Sequence, residues 1–303
     1  MTYPLITFFI VAYNQEKYIA EAIDGAFAQD YPNMEIIISD DCSSDNTWDI
    51  IQARAAQYKG PHKVILNRNE PNMGPREHIN KILYELSHGE IIVVSAGDDI
   101  SLPQRTKVAM DMMLKHPEVV SLSFQSQLVD ENLKPLDLRQ PEEGLSVGQD
   151  TIITMDDYVT YPYFIFSGES RVLRRSVIDA FPPLKYPFAE DIFWFVRGFY
   201  VGSVAYIRQP LVLYRQLTSS IMGKERANKS FDEEKFNNTT ARQIWEDYEY
   251  AVKHGYIDAR LKDCVAKKLT WLLYSLKPSI AKQKKHTLIY RILRAIKHEI
   301  VRN

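Results

Sequence analysis

Short apolar runs alternate with helix-like segments along the first 125 residues of the chain. The runs are rich in Ile and Val and have the length of strands; they occupy residues 5–11, 35–39, 63–66, 90–95 and 119–124. Such runs are typical of strands that are covered on both faces. Between them apolar residues recur with helical spacing, as at Ile19, Ala22, Ile23, Ala26 and Phe27, and at Ile79, Ile82, Leu83 and Leu86. The alternation predicts right-handed βαβ units, and hence an α/β fold with a mainly parallel sheet flanked by helices.

The regular pattern weakens after residue 125. Residues 133–150 and 216–236 are rich in polar and turn-forming residues, which is typical of loops. Residues 237–303 have a helical pattern throughout. The sequence therefore predicts a main domain over residues 1–236 and a helical C-terminal extension over residues 237–303.

Composition and charge indicate an ordinary globular protein with an uneven charge distribution. Hydrophobic residues make up 45% of the chain and charged residues 25%, and the net charge is −2. Residues 253–303 nevertheless carry 13 Lys and Arg against 3 Asp and Glu, so an acidic body precedes a basic tail. Cys42 and Cys264 offer no disulfide framework, and the N-terminal apolar run is too short to span a bilayer. We therefore expect a cytoplasmic protein.

The basic tail contains an amphipathic pattern over residues 286–302. Its apolar face comprises Leu288, Ile289, Ile292, Leu293, Ile296 and Ile300. Its other side carries Arg291, Arg294, Lys297, His298 and Arg302. The pattern fits a helix packed on the body of the protein or on a second copy of the chain, which would make a homo-oligomer. It fits equally a helix that lies on an anionic membrane surface and makes the protein peripheral at the inner face of the membrane.

Polar residues follow the carboxyl ends of the predicted strands, where ligands bind in an open α/β sheet. The first strand ends in "VAYNQ", the second in "SDDCS", the third in "NRNEPNMG" and the fourth in "SAGDD". The pairs Asp40/Asp41 and Asp98/Asp99 would concentrate negative charge at this edge, and a cation or hydrogen-bond donors must compensate it. Carboxylate oxygens favour Mg²⁺ or Mn²⁺, which keep coordination positions open for phosphate oxygens.

Several nucleotide-binding classes lack their glycine-rich signatures in this sequence. There is no G-x-x-x-x-G-K-[ST] loop and no G-x-G-x-x-G fingerprint. Their absence argues against a kinase, an NTPase or a nicotinamide dehydrogenase. The remaining economical hypothesis is a nucleoside diphosphate held through a metal ion.

The order of these motifs resembles that of family 2 inverting glycosyltransferases with the GT-A fold. The resemblance covers roughly residues 5–215 and includes "FFIVAYNQEKY", "EIIISDDCSSDNT", "NMG", "HGEIIVVSAGDD", "AEDIFWFVRG" and "PLVLYR". It implies a hexosyl- or N-acetylhexosaminyltransferase that uses Mn²⁺ or Mg²⁺ and takes its sugar from a nucleotide-sugar, with UDP favoured. The implied acceptor is a glycan or a lipid-linked molecule in cell-surface polysaccharide synthesis, and no nucleic acid is expected as a partner.

The resemblance also implies a nucleotide site. Its implied members are Val11, Tyr13, Asn14, Asp41 and Asp98. Asp41 would accept the N3–H of uracil, and Tyr13 would lie against the base. Asp98 and Asp99 match the acidic motif that binds ribose and metal. Asp40 would instead secure the turn and the start of the next helix.

Three positions depart from the family pattern. The family usually has Pro where Val11 stands and Gly where Cys42 stands. The leading Asp of its acidic motif is Ala96 here. This last change leaves open whether Asp98 or Asp99 is the principal metal ligand.

Inverting transfer needs a carboxylate that removes a proton from the attacking hydroxyl. By resemblance that general base is Asp191, and Glu190 would hold the acceptor or the backbone. The alternative is that both acids only favour the dipole of the helix that they begin. Further contacts to donor or acceptor are assigned to Gly168, Glu169 and Arg215, where Arg215 or Ser219 would contact the diphosphate. Arg76 and His78 are weaker candidates on the donor side, since such positions are more often solvated helix residues.

Two other functions remain open from the sequence. One is a nucleotide-sugar-binding or scaffolding subunit whose catalytic site has decayed. The other is a nucleotidyltransferase that makes the activated sugar. The latter would require a glycine-rich, basic N-terminal loop, and "IVAYNQEKY" has neither property.

Overall fold

The computed structural model describes residues 3–138, 150–160, 168–186, 190–217, 233–258, 262 and 265–266. The first half contains β1 (Ile6–Ala12), α1 (Ile19–Phe27), β2 (Met34–Asp40), α2 (Thr47–Gln57), β3 (Lys63–Arg68), α3 (Pro75–Lys81) and β4 (Ile91–Ala96). Helix α3 continues into a π-helical turn over Ile82–Leu86. The second half contains β5 (Ile100–Ser101), α4 (Arg105–Lys115), β6 (Val119–Val129), β7 (Pro135–Leu138), β8 (Thr151–Ile153), α5 (Met155–Thr160), β9 (Val172–Arg174), α6 (Arg175–Asp179), α7 (Glu190–Val201), β10 (Ser203–Arg215) and α8 (Glu233–Lys253).

All ten strands of the described residues belong to one sheet. Its main path has the order β3-β2-β1-β4-β9-β6-β10-β5, with β7 paired to β6 and β8 to β10. The first four strands of this path are parallel, as the alternating pattern predicts. Strands β6 and β10 are also parallel, whereas β9 runs antiparallel to both β4 and β6. The α/β class is thus confirmed, and the sheet is parallel in its first half and mixed in its second.

Both faces of the sheet are covered by apolar side chains. Successive residues of a strand point to opposite faces, so Phe8 and Phe9 of β1 enter different clusters. Phe8 packs with residues of α1, α2 and α4, and Phe9 packs with residues of α3, α6, α7 and α8. This double cover explains the continuous apolar runs in the sequence.

Helix α8 contributes to the cluster that contains Phe9. Its Ile244, Tyr248 and Ala251 are buried together with Phe181 and Phe199. The helix begins at Glu233, close to the predicted boundary at residue 236, and its apolar face belongs to the core of the main domain. The amphipathic pattern over residues 286–302 lies outside the described residues. In the part of the chain that is described, no helix has both the length and the hydropathy that a membrane span requires.

Candidate functional site

The candidate site lies where β1, β2 and β4 end. The backbone N–H of Asp41 donates to the carbonyl of Ala12 at 2.9 Å, and that of Gly97 donates to the carbonyl of Val11 at 2.9 Å. The end of β1 is therefore bonded on one side to the Asp40/Asp41 turn and on the other side to the Asp98/Asp99 turn. The two acidic motifs of the sequence are brought to one edge, as the parallel order of these strands requires.

Asp40 is a buried turn residue. Its Oδ2 accepts the backbone N–H of Ser43 at 3.0 Å, and its Oδ1 accepts the hydroxyl of Ser43. Arg68 on β3 brings its Nε to 3.4 Å from the same carboxylate. The expectation that Asp40 secures the turn is confirmed by these contacts.

Asp41 is buried and held by the loop that follows β3. Its Oδ1 accepts the side-chain amide of Asn69 at 2.8 Å and the backbone N–H of Met73 at 2.9 Å. Its Oδ2 accepts the backbone N–H of Gly74 at 2.8 Å. Three donors therefore fix the orientation of this carboxylate. Asn69 was not singled out in the sequence, where only its position after a predicted strand could have indicated it.

The residue after Asp41 has an unusual backbone. Cys42 adopts a φ of 60°, in the left-handed region that favours glycine. A residue with a Cβ at this position costs conformational energy that glycine would avoid. Cys42 therefore adopts the turn conformation for which the family usually has glycine.

The end of β1 presents one ordered side chain and one exposed side chain. The backbone N–H of Asn14 donates to the Ser43 hydroxyl at 2.9 Å, and its Oδ1 accepts the N–H of Ser44 at 2.9 Å. Asn14 thus joins the two strand ends. The side chain of Tyr13 is 49% exposed, and Val11 is partly buried. Tyr13 therefore offers a free aromatic surface next to the turn that holds Asp41.

The second acidic motif is bonded to the end of β10. Buried Asp99 accepts the backbone N–H of Arg215 at 3.0 Å through Oδ1. Burial raises the pKa of Asp99 well above its usual value, and the charges of Asp98 and Glu169 raise it further. Burial also raises the pKa of Asp98, which is partly exposed, against the opposing effects of Arg215 and Gln15. Burial thus disfavours the charged forms of both acids.

Arg215 is buried beneath the acidic motif. Its Nη1 donates to the backbone carbonyl of Asp98 at 2.7 Å, and its Nη2 pairs with Glu21 of α1. Its guanidinium lies 4.9 Å from the ring centre of Tyr18. In this arrangement Arg215 fixes the Asp98/Asp99 turn from the interior of the protein. To contact a diphosphate, its guanidinium would have to leave the Asp98 carbonyl and Glu21.

Arg105 is a second buried cation that the sequence interpretation missed. Its Nη2 donates to the Val94 carbonyl at 2.8 Å and its Nη1 to the Ser101 hydroxyl at 2.7 Å. Burial lowers the pKa of Arg105 to about 9, against the charges of Glu169 and Asp99. Arg105 shares a helical face with Ala109 and Met113, and that spacing was the available signal.

Gly168 and Glu169 form a 3-10 turn beside this cluster. The Oε1 of Glu169 accepts the hydroxyl of Ser126 at 3.0 Å. Glu169 acts electrostatically on both Asp99 and Arg105, so it belongs to the same charged group. The predicted residues Asp98, Asp99, Glu169 and Arg215 are therefore brought together by the structure.

His78 is buried, and the expectation of a solvated helix residue was wrong for it. It lies on the same helical face as Ile82 of the π-helical turn that follows α3, and that face packs on the sheet. Its Nε2 is 2.5 Å from the hydroxyl of Ser39, which also accepts the side-chain amide of Asn67 at 2.8 Å. Burial lowers the pKa of His78, against the charges of Asp41 and Asp40. A neutral imidazole that accepts the Ser39 hydroxyl proton fits this environment.

Glu190 and Asp191 lie in the first turn of α7, as the apolar spacing predicts. Their side chains are outside the described part of the chain, as is Ser219. Phe195 and Phe199 of the same helix are buried and fix its inner face. The role of Asp191 as a general base stays a prediction.

Carboxylate oxygens suitable for a hard cation are present at the Asp98/Asp99 turn. Within the described ranges, no three His, Cys, Asp or Glu side chains converge as a metal site. Burial is the main cause of the raised pKa values of both acids, and a divalent cation bound beside them would lower these values. The residues present therefore fit a cation that is bound partly by the protein and partly by a ligand.

Comparisons with known proteins identify relatives of the chain. A family model described as Glycosyl transferase family 2 matches residues 7–181. An uncharacterized protein of Mycobacterium tuberculosis is 29% identical over 215 residues, which are 68% of this chain and 57% of that protein. The chain therefore spans just over half the length of this curated relative.

Two solved structures share the fold. TarS of S. aureus (residues 1–349, in complex with UDP-GlcNAc) superposes with a TM-score of 0.67 at 17% identity, over 96% of this chain and 80% of that one. The mannosyltransferase PcManGT of Pyrobaculum calidifontis, in complex with GDP-Man and Mn²⁺, gives a TM-score of 0.58 at 18% identity, over 99% and 81% of the two chains. TarS is named a poly(ribitol-phosphate) beta-N-acetylglucosaminyltransferase, and its sequence is 27% identical over 115 residues, 37% of this chain and 19% of TarS.

Proposed function

We propose, on the premise that the chain belongs to glycosyl transferase family 2 and is a glycosyltransferase, that it moves a sugar with inversion from a nucleoside diphosphate to a glycan or lipid-linked acceptor. The observation that carries the proposal is the orientation of Asp41. This buried carboxylate is held by Asn69, Met73 and Gly74, and the backbone N–H of Asp41 donates to Ala12, the residue before the exposed Tyr13. A planar base that stacks on Tyr13 could then donate a hydrogen bond from its edge to a carboxylate oxygen of Asp41.

The hydrogen bonds of Asp41 favour a uracil or thymine base. A carboxylate offers about four lone-pair sites, two on each oxygen. Two donors already occupy Oδ1 and one occupies Oδ2, which leaves a single site. The N3–H of uracil or thymine needs one acceptor. Guanine presents two adjacent donors that would address both oxygens, so a UDP- or dTDP-sugar suits this site better than a GDP-sugar.

The metal ion is proposed to bind mainly through Asp98. Asp99 is buried and one of its oxygens accepts the Arg215 N–H, whereas Asp98 is partly exposed. Mn²⁺ or Mg²⁺ at this position would neutralise charge on the departing diphosphate. Arg215 donates to the backbone carbonyl of Asp98 and, through its own N–H, to Asp99, and Arg105 supplies a further positive charge near Asp99.

Asp191 is proposed as the general base and Glu190 as a contact to the acceptor. A carboxylate in the first turn of α7 would accept the proton of the acceptor hydroxyl as that oxygen attacks the anomeric carbon. Gly168 and Glu169 are proposed to line the sugar, because their turn adjoins the Asp98/Asp99 cluster. A polymeric acceptor, as in the proposed cell-surface polysaccharide synthesis, is supported by the name of TarS, a poly(ribitol-phosphate) beta-N-acetylglucosaminyltransferase.

The proposal is tested by supplying donors with Mn²⁺ and a glycan fraction and by measuring the release of nucleoside diphosphate. We expect acceptor-dependent release from a UDP-sugar, and loss of about 10² to 10⁴-fold in Asp191→Asn, the usual range for general acid–base catalysis. Donor binding should survive that substitution. Nucleotide-sugar binding without turnover by the native chain would indicate a scaffolding subunit. Formation of a nucleotide-sugar from a nucleoside triphosphate and a sugar phosphate would indicate a nucleotidyltransferase.

A further inference from the structure

The segment at residues 182–186, which leads towards α7, is held by side chains from α3. The side-chain amide of Asn80 donates to the carbonyl of Leu184 at 2.8 Å, and its Oδ1 accepts the N–H of Leu184 at 3.1 Å. Arg76 donates to the carbonyl of Lys185. Both backbone groups of Leu184 are thus occupied by one residue that is more than a hundred positions away in the chain.

Helix α8 holds the same segment from its other side. The backbone N–H of Lys185 donates to Oε1 of Gln243 at 2.9 Å. Glu246 accepts the ammonium of Lys185 at 2.9 Å and the hydroxyl of Tyr186 at 2.5 Å. These hydrogen bonds favour the ionised form of Glu246, because they lower its pKa against the effect of burial.

The first residue of the segment is bonded to α7 itself. Arg197 donates through Nη1 to the carbonyl of Pro182 at 3.0 Å. Its Nε and Nη2 donate to the two carboxylate oxygens of Asp247 at 2.8 and 2.7 Å. Pro182, α7 and α8 are therefore tied together at a buried point.

Loop backbone is ordinarily satisfied by local turns or by water. The backbone of the 182–186 segment is instead fixed by side chains of α3, α7 and α8. Helix α3 begins directly after Met73 and Gly74, whose N–H groups hold Asp41. The residues directly before α3 thus hold the proposed base-reading carboxylate, and α3 itself holds the segment that leads to α7.

We propose that Asn80 and Glu246 are positioning residues for the transfer step. They fix the 182–186 segment, whose Pro182 is bonded to Arg197 of α7. They thereby hold α7, which begins with Glu190 and the candidate base Asp191, relative to the donor site. The inference rests on the proposed function, because it assigns Asp191 its role in transfer. Neither positioning residue touches the donor, so their effect is on kcat and leaves the KM for the donor unchanged.

A merely structural role predicts a different result. Glu246 is part of a partly exposed ion pair, and such pairs contribute little to stability. If the contacts only stabilised the fold, substitution would lower the melting temperature slightly and leave kcat alone. If they position the base, a displacement of about 1 Å lowers the rate by up to about 10²-fold.

The experiment compares Asn80→Ala, Asn80→Asp, Glu246→Ala and Glu246→Gln in the full chain, with Glu249→Ala on the exposed face of α8 as a matched control. We expect kcat to fall by about 10 to 10²-fold in both alanine variants, with unchanged KM and UDP affinity. Asn80→Asp and Glu246→Gln keep part of the contacts and should retain intermediate rates. Glu249→Ala should behave as the native chain.

Two outcomes overturn the inference while the proposed function stands. The first is a native kcat in both alanine variants, when the native chain transfers sugar and Asp191→Asn does not. The second is a loss that appears in KM or in UDP affinity, which would assign these residues to the donor. Absence of transfer by the native chain would instead count against the proposed function. Circular dichroism reports whether each variant is folded, and Glu246→Ala provides the test if Asn80→Ala does not fold.

Discussion

The Arg197–Asp247 pair tests whether α8 belongs to the catalytic fold. The Arg197 side chain is fully buried and that of Asp247 is 4% exposed, and two hydrogen bonds of 2.8 and 2.7 Å join them. Gln243 also donates to Asp247 at 2.9 Å. Asp247→Ala would leave the guanidinium buried and without its counter-ion.

Breaking a buried pair in this way costs about 3–5 kcal/mol. A chain of 303 residues unfolds with an entropy of roughly 0.6 kcal/mol per kelvin, at about 2.1 cal/mol/K for each residue. The predicted fall in the melting temperature is therefore about 5–8 °C. Circular dichroism at 222 nm measures it directly.

The matched control is Asp24→Ala, which breaks an Arg–Asp contact with Arg54 on the surface. Both side chains of that pair are exposed, at 40% and 51%, and an exposed pair contributes about 0–1 kcal/mol. The double variant Arg197→Met/Asp247→Leu should be more stable than Asp247→Ala, because it leaves no buried charge. If Asp247→Ala is no more harmful than Asp24→Ala, then α8 is not integral to the fold as we describe it.

Further predictions concern pH, metal and lipid. Burial lowers the pKa of His78 in the folded state below its pKa in the unfolded state. The neutral imidazole therefore contributes stability that is fully present above about pH 6.5, and this contribution is lost as the pH falls through the pKa of the folded state. His78→Gln should therefore flatten the stability profile between pH 7 and 5, whereas the exposed His254→Gln should not; equal profiles in denaturant titrations would contradict this. Asp98→Ala should weaken Mn²⁺ binding in calorimetry with UDP present, and unchanged Mn²⁺ affinity would remove Asp98 as the main ligand. If residues 286–302 form an interfacial helix, reversal of their basic charges should abolish flotation with anionic vesicles. Flotation of the native chain should weaken as salt shortens the Debye length from about 10 Å at 0.1 M to about 3 Å at 1 M. Flotation that is unaffected by charge reversal would contradict the membrane hypothesis.

The first half of the fold could be predicted from the sequence because its strands are parallel and covered on both faces. Each then appears as one apolar run, and the helices between them have regular spacing. The second half could not be predicted in this way. Strand β10 contains Arg208–Gln209–Pro210, where its register against β6 shifts, so no single period describes it. Strand β9 has three residues and pairs antiparallel between β4 and β6, a placement that only tertiary packing determines.

The candidate site divides along a similar line. Asp41, Asp98 and Asp99 stand at strand ends, where position in a parallel sheet indicates a ligand edge. Arg105 and Asn80 are polar residues within helices, and their partners are mainly backbone carbonyls far away in the chain. Composition and spacing contain little information on such contacts.

The most direct test of the central claim is the calorimetric titration of UDP and GDP, with Mn²⁺, into the native chain and Asp41→Ala. A hydrogen bond to a charged group contributes about 1.5–3 kcal/mol, which corresponds to roughly 10 to 150-fold in affinity. The native chain should bind UDP at least about 10-fold more tightly than GDP, and Asp41→Ala should lose that preference together with most of its UDP affinity. Equal binding of the two nucleotides by the native chain, or undiminished UDP affinity in Asp41→Ala, would contradict the account.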